Sequence, residues 1–304
     1  MKPILSIGHS AYDFTYLLEA FPTENLKYSL NNGIETVMEC GGGPAGNAAY
    51  LMGKWGAKVF YAGVIGDDPQ GKAIEAEFQS VGVDLSYLQR NIGGRTPFSV
   101  ILANKENGSR TLFNRTLPYP PLQHEWDSAL EWGAILVDGM ELEASLKALE
   151  TYSELPSVLD AGSLDREAEI LAAKVSHLVC SEVFAQQYTG QTLDTEASIE
   201  RAFKQLEALN DNCVVLTLGE RGSVYRKEGN LTIVPAMTVN AIDTTGAGDI
   251  YHGAFTYGLA AGYDLETTIQ ISTIAAGLSV EKLGARVAIP AWSEVEEILI
   301  ESTK

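Results

Sequence analysis

Asp249 stands in the stretch DTTGAGDIYHGAF (243–255), directly after Gly246, Ala247 and Gly248, and the run it opens has helical apolar spacing. Small residues just ahead of a helix leave its first N–H groups without intrahelical acceptors. With the helix dipole these groups make an anion site. A carboxylate in the first turn would repel an anion held there, so its presence calls for a reason. One reason is base chemistry: Asp249 takes the proton of an attacking hydroxyl while the amides stabilise the oxygens of a transferring phosphoryl group. The other is an acid favoured by a helix N-terminus, with no ligand at all. Residue types alone leave both open.

A second glycine-rich stretch, CGGGPAGNAA (40–49), puts Gly41, Gly43 and Gly46 at the spacing G-x-G-x-x-G, with Asp67 and Asp68 about 20 positions on. That is the pattern of a dinucleotide-binding turn, and it raises an oxidoreductase as a rival reading. Three features oppose it. The glycines do not follow the first clear strand, Pro44 occupies the turn that should supply amides, and DTTGAGD is left without a task.

The elements that must position these residues alternate along the chain. ILSIGHS (4–10) reads as a short buried strand followed by a turn carrying Asp13. AGNAAYLMGKWGA (45–57) has helical spacing and closes at Gly56, KVFYAGVIG (58–66) is a strand, and GKAIEAEFQSVGV (71–83) is a helix with a glycine stop. AILVDG, SVLDAG, HLVCSE and CVVLTLG are further strands separated by helical segments such as TEASIERAFKQLEAL (195–209). Alternation of this kind implies a parallel sheet with helices on both faces. Two regions break it. TPFSVILANKENGSRTLFNRT (96–116) reads as a hairpin around Asn107-Gly108, and residues 15–38 read as loop and short strand. Together they form either a small projecting sheet, hence a lid, or an ordinary edge of the main sheet.

Composition excludes several function classes. The 304 residues are 45% hydrophobic and 20% charged, as in a soluble globular protein. A formal charge of −19 with no basic stripe argues against nucleic acid. No run approaches the ~18 apolar residues of a membrane span, and the N-terminus reads as no signal peptide. Three widely spaced cysteines, Cys40, Cys180 and Cys213, fit reduced thiols in a cytoplasm.

DTTGAGD resembles the signature of the ribokinase/PfkB family of carbohydrate kinases. GGGPAGNAAYLMGKWGAKVFYAGVIGDDPQG (41–71) resembles that family's N-terminal signature. The likeness runs in order from Gly8 to about Pro290, through TLGERGS (217–223), like the nucleotide-side loop, and AAGLSVEKLGARVAIP (275–290), like the C-terminal nucleotide-pocket stretch. The resemblance implies one α/β domain over 1–304, a three-layer α/β/α sandwich with a mostly parallel central sheet. A small β-sheet lid would come from about 14–40 and 95–117. It implies an ATP-dependent sugar kinase with Asp249 as base and the amides of Gly246, Ala247 and Gly248 as anion hole. Asp13, Gly42, Gly43 and Asn47 fall at sugar-binding positions, where a carboxylate and a carboxamide suit vicinal hydroxyls and glycines let a polyol lie close. A turn-forming Asp13 and a helix-start Asn47 are the plainer alternatives. Thr217, Gly219, Gly222, Thr245, Gly246 and Gly248 fall at ATP-binding positions. Asp243 and Thr245 match positions that in several members line a monovalent-cation (K⁺) site.

The pattern departs at SEVFAQQYTG (181–190). Ser181 and Phe184 replace the Asn and Glu that many members use to help place Mg²⁺, which leaves Glu182 to act through water. Glu220 and Arg221 read as solvated loop charges. For the substrate, FPTENLKYSLNN (21–32) resembles the sulfofructose kinase branch, where a lysine at Lys27 and an asparagine at Asn114 help bind the sulfonate. That branch's further arginine falls on Met140, with Arg115 as a substitute. ILANKENGSRTLFNRTLP (101–118) resembles ketohexokinase. Both suggest phosphorylation of a primary hydroxyl on a ketose or ketose derivative, while solvation of a lid face is the plain reading of Lys27 and Arg115. A nucleoside is the alternative within the fold, its base lying in an apolar slot of Tyr12, Phe14 and Phe98. A non-catalytic sugar sensor is a further rival, and it would have no use for Asp249. An exposed lid edge invites pairing with a second copy, hence a homodimer.

Overall fold

The protein is described by a computed structural model covering residues 1–28, 36–106, 108–116, 118–127 and 129–302. Its first-half strands are β1 (Ile4–Ile7), β2 (Ala11–Leu18), β3 (Val37–Gly42), β4 (Val59–Gly66), β5 (Leu88–Asn91), β6 (Phe98–Asn104) and β7 (Arg110–Arg115). The second half adds β8 (Ala134–Val137), β9 (Ser157–Ala161), β10 (His177–Ser181), β11 (Cys213–Thr217), β12 (Ser223–Lys227) and β13 (Asn230–Val234). Between them run helices α1 (Pro44–Lys54), α2 (Pro69–Ser80), α3 (Leu142–Thr151), α4 (Arg166–Ala172), α5 (Glu182–Thr189) and α6 (Glu196–Leu209). After β13 come α7 (Ala247–Ala261), α8 (Leu265–Ser279), α9 (Ala285–Ala288) and α10 (Trp292–Ser302).

The large sheet has the order β13-β12-β11-β10-β9-β8-β1-β4-β5. It is parallel from β11 to β5, and β12 and β13 add an antiparallel margin. Parallel strands need crossover helices, which cover both faces, so their side chains are apolar in both directions. β1, β4 and β8 are buried at every residue. Leu5, Ile7, Ile135 and Val137 pack towards α3 to α6 through Ala148, Leu171, Phe184 and Phe203. Their neighbours Ile4, Ala134 and Leu136 pack the other way, towards Ala48, Ile250 and Ile271 of α1, α7 and α8. The two-residue period of a strand thus becomes three layers. Among the described residues no helix is long and apolar enough to cross a membrane.

A separate four-stranded sheet has the order β3-β2-β6-β7. The predicted hairpin is β6 and β7, with Phe98 opposite Arg115 and Ala103 opposite Arg110, and it belongs to this small sheet rather than the large one. Asn107 of its turn, and residues 29–35 of the first predicted lid segment, lie outside the described residues. One expectation is corrected here. Asp13 is not in a turn but in the middle of β2, and residues 15–18, within the segment read as loop and short strand, complete that strand. β2 alternates with Ala11, Asp13 and Thr15 buried and Tyr12 and Phe14 half-buried.

Candidate active site

The carboxyl ends of parallel strands, where open α/β sheets bind ligands, form one wall of a cavity of about 370 Å³. His9 follows β1, Asp138 follows β8 and Asp160 lies near the end of β9. The small sheet contributes Asp13, Ser99, Asn114 and Arg115, and the starts of α1 and α7 contribute Gly43, Asn47, Gly246 and Asp249.

Gly246 is the N-cap of α7 in the left-handed region (φ 76). A Cβ there would stand 2.7 Å from the Cβ of Ala285, so glycine is demanded by both backbone and space. The Ala247 amide reaches the Thr244 carbonyl at 3.3 Å. The amides of Gly246, Gly248 and Asp249 donate to no acceptor among the described residues. Gly246 and Gly248 of the expected set are therefore free, and the Asp249 amide stands in place of that of Ala247.

Asn47 donates its amide nitrogen to Asp249 Oδ2 at 2.7 Å and accepts from Arg286 Nε at 3.2 Å. Asp13 is 5% exposed, and burial pushes its carboxyl up to about 6, the Ser99 hydroxyl opposing and the Asp249 charge adding to the effect. Burial also raises Asp138 to about 6, although it accepts the backbone amides of His9 (2.7 Å), Ala45 (3.1 Å) and Met140 (3.1 Å). Asp160 is held well above the usual carboxylate range by burial and by the charges of Asp249 and Asp138. It lies 3.3 Å from His252 Nδ1, and the same ring faces the carbonyls of Gly248 and Val179, tying the first turn of α7 to the sheet.

Of the residues singled out in sequence, Asp13, Gly43, Asn47, Asn114, Arg115, Thr245, Gly246 and Asp249 line this one cavity. Lys27 does not; it is exposed. At Gly42 a Cβ would lie 2.0 Å from Asp13 Oδ2, so the glycine makes room for that carboxylate. Of the three residues proposed to hold a base, Phe98 lines the cavity, whereas Tyr12 and Phe14 are absent from the lining, because the alternation that turns Asp13 inwards turns them away. Thr217 ends β11, and Gly219 and Gly222 (φ 58 and 90) bound the turn that follows. Arg221 is not a free loop charge but pairs with Glu182 at 2.7 Å. Asp243 is 1% exposed, and its two oxygens accept the amides of Thr245 and Gly284, both at 2.9 Å. Asp138, Asp160 and Arg286 were missed. The signal for the first two was a carboxylate closing an apolar run, LVDG and VLDAG.

The dinucleotide reading fails on the same geometry. The 40–49 stretch leaves β3 of the small sheet, and its amides are already engaged: Gly41 with Glu77, Ala45 with Asp138, Gly46 with the His9 carbonyl. Asp68 caps α2 through Gly71 and holds Thr96.

Residues 1–292 match the profile of the pfkB family of carbohydrate kinases. The chain is 28% identical to the ribokinase of Bacillus subtilis, over 98% of this chain and 100% of that one. It is 25% identical to a nucleoside kinase of Methanocaldococcus jannaschii, over 98% and 97%. The structure of Arabidopsis thaliana ribokinase complexed with ribose and ATP superposes with a TM-score of 0.79 at 22% identity, covering 98% of each chain, a likeness of fold. The chain belongs to the pfkB family and is an ATP-dependent carbohydrate kinase.

Proposed function

We propose that this kinase phosphorylates a primary hydroxyl of a ketose or ketose derivative, with Asp249 as general base. The observation that carries the reading is the position of Asp249. It stands between a cavity lined by Asp13, Asn47 and Asn114 and the unengaged amides of Gly246, Gly248 and its own N–H. Asn47 occupies Oδ2 of Asp249, which leaves the other oxygen to accept the hydroxyl proton. The deprotonated oxygen bonds to the terminal phosphorus of ATP, the bond to the bridging oxygen breaks, and ADP leaves. Charge on the transferring oxygens is met by the α7 amides.

Phosphoryl transfer from ATP ordinarily brings Mg²⁺ with the phosphates. The protein side chains do not fit a metal cage: no group of three or more His, Cys, Asp or Glu among the described residues is arranged for one, and Glu182 is held by Arg221. No step is assigned to the ion. Asp243 accepts one amide on each oxygen, and each oxygen keeps a further lone pair with which it could ligate a monovalent cation.

In the cavity wall Arg115 lies over the Phe98 ring at 5.6 Å and would supply the cation for an anionic group on carbon 6; Lys27 is not part of this wall. ADP release should be measured with ketoses, 6-modified ketoses, ribose and nucleosides. Turnover of a nucleoside with none of the sugars would sink the ketose reading. Asp249→Asn should keep ATP and sugar binding and lose about 10³-fold in turnover; near-normal turnover removes Asp249 from the base role.

A further inference from the structure

Arg286 is a charged residue in the C-terminal segment GARVAIP, yet it is 2% exposed. Arginine is almost never fully buried without partners, and this one has four partners on three distant segments. Nη1 meets Glu77 at 2.9 Å, Nη2 meets the Ser10 hydroxyl at 3.0 Å and the Gly42 carbonyl at 3.4 Å, and Nε meets Asn47 Oδ1 at 3.2 Å. The guanidinium plane rests 4.5 Å from the Phe78 ring centroid. Around it the glycine-rich loop is cut to size. A Cβ on Gly41 would come within 2.1 Å of Nη1, and one on Gly46 within 2.8 Å of Nη2. Two of the three glycines that imitate a dinucleotide turn, Gly41 and Gly46, make room for an arginine.

The contact with Asn47 has a chemical consequence. A carboxamide can present either its oxygen or its nitrogen to a neighbour, whereas a guanidinium only donates. The Asn47 atom facing Arg286 must therefore be the oxygen, which forces the nitrogen towards Asp249. A flipped amide would set a carbonyl oxygen against the carboxylate. We infer that Arg286 is a positioning residue: its guanidinium fixes the orientation of Asn47, which in turn holds Asp249 in place. This rests on the reading of Asp249 as the base.

The test compares wild type with Asn47→Ala, Arg286→Lys, the double variant and Asp249→Asn, by steady-state kinetics and thermal melting. Lysine keeps a cation opposite Glu77 but cannot also donate to Asn47, Ser10 and Gly42, and the Asn47→Ala background separates the Asn47 bond from the other two. Arg286→Lys should fold, lose about 10-fold in kcat, and leave the KM for ATP unchanged. In the Asn47→Ala background the same substitution should cost less than about 2-fold, because the group it acts through is gone. Losses that multiply in the double variant, or a chain that cannot fold with lysine at 286, overturn the proposal. An active Asp249→Asn overturns the base assignment instead. The Asn47–Arg286 coupling is then read from sugar affinity, by calorimetry on the wild type, both single variants and the double variant.

Discussion

Asn47 Nδ2 lies 2.7 Å from Asp249 Oδ2, although 202 positions separate the two residues. Each sits in the first turn of a helix, and these helices, α1 and α7, pack closely where Gly253 faces Ala48. A Cβ at 253 would come within 2.8 Å of the Ala48 Cα. Gly253→Ala therefore sets two effects against each other. Helix propensity gains about 1 kcal/mol, and overpacking costs about 1–3 kcal/mol. Backbone lies on the opposing side, so overpacking should win. The variant should melt below wild type and lose turnover, since α1 must move away from Asp249. A higher melting temperature with full activity would show that the helices have slack.

Asp13 should weaken the fold it serves. Its carboxyl rises from 3.8 to about 6 because burial disfavours the charged form. A raised folded value means the native state holds its proton more tightly than the unfolded chain. Stability from this group therefore falls as pH climbs from about 4 to about 6, and the full penalty, at most about 3 kcal/mol, remains above that. Asp13→Asn removes the charge and keeps an oxygen for Ser99. It should melt above wild type at pH 7.5, by a margin that shrinks through pH 5 and vanishes near pH 4, and it should bind sugar poorly. A margin independent of pH contradicts the account.

Asp243 joins two loops with two charge-assisted hydrogen bonds, and its surroundings offer the freed amides no substitute. Asp243→Ala should cost about 3–5 kcal/mol and lower the melting temperature by roughly 10 °C. Activity should fall with it, because Thr245 and Gly284 flank Gly246 and Arg286. Calorimetric melting of the variant with and without added K⁺ separates a structural role from an ionic one: loss of a K⁺-dependent shift points to the ion.

Which of these features the sequence reveals follows from what each residue faces. β4, VFYAGVIG, is apolar throughout because helices cover both of its faces, so the run is plain. α7 is bracketed by Gly246 and Gly262, and its first turn carries a signature of contiguous residues. β2, AYDFTYLL, is obscure because its inward face carries Asp13 and Thr15 while Tyr12 and Phe14 point away. That is the reverse of a core strand, since its inward side lines the cavity. Arg286 is invisible for another reason: a lone charge between glycine and proline reads as solvated, and its partners at 10, 42, 47 and 77 arrive only through tertiary packing.

Arg110 joins the small sheet to the loop before α7. Nη1 donates to the Thr244 hydroxyl at 2.6 Å, and that hydroxyl donates to the Gly108 carbonyl at 3.1 Å, so the end of the β6–β7 hairpin is latched beside the residues leading into α7. Both Arg110 and Thr245 line the cavity. On the proposed reading, a small sheet held this way would exclude water from the phosphoryl group while a sugar is in place. The strand carrying Arg110 is exposed, so removing its side chain should change stability by less than about 1 kcal/mol. The effect should fall on coupling instead. Arg110→Ala should raise the sugar KM about 3- to 10-fold and release more ADP than sugar phosphate, as water reaches a site that no longer closes. Quantifying both products in one reaction checks this. A one-to-one ratio with an unchanged KM would mean that the latch contributes nothing to closure.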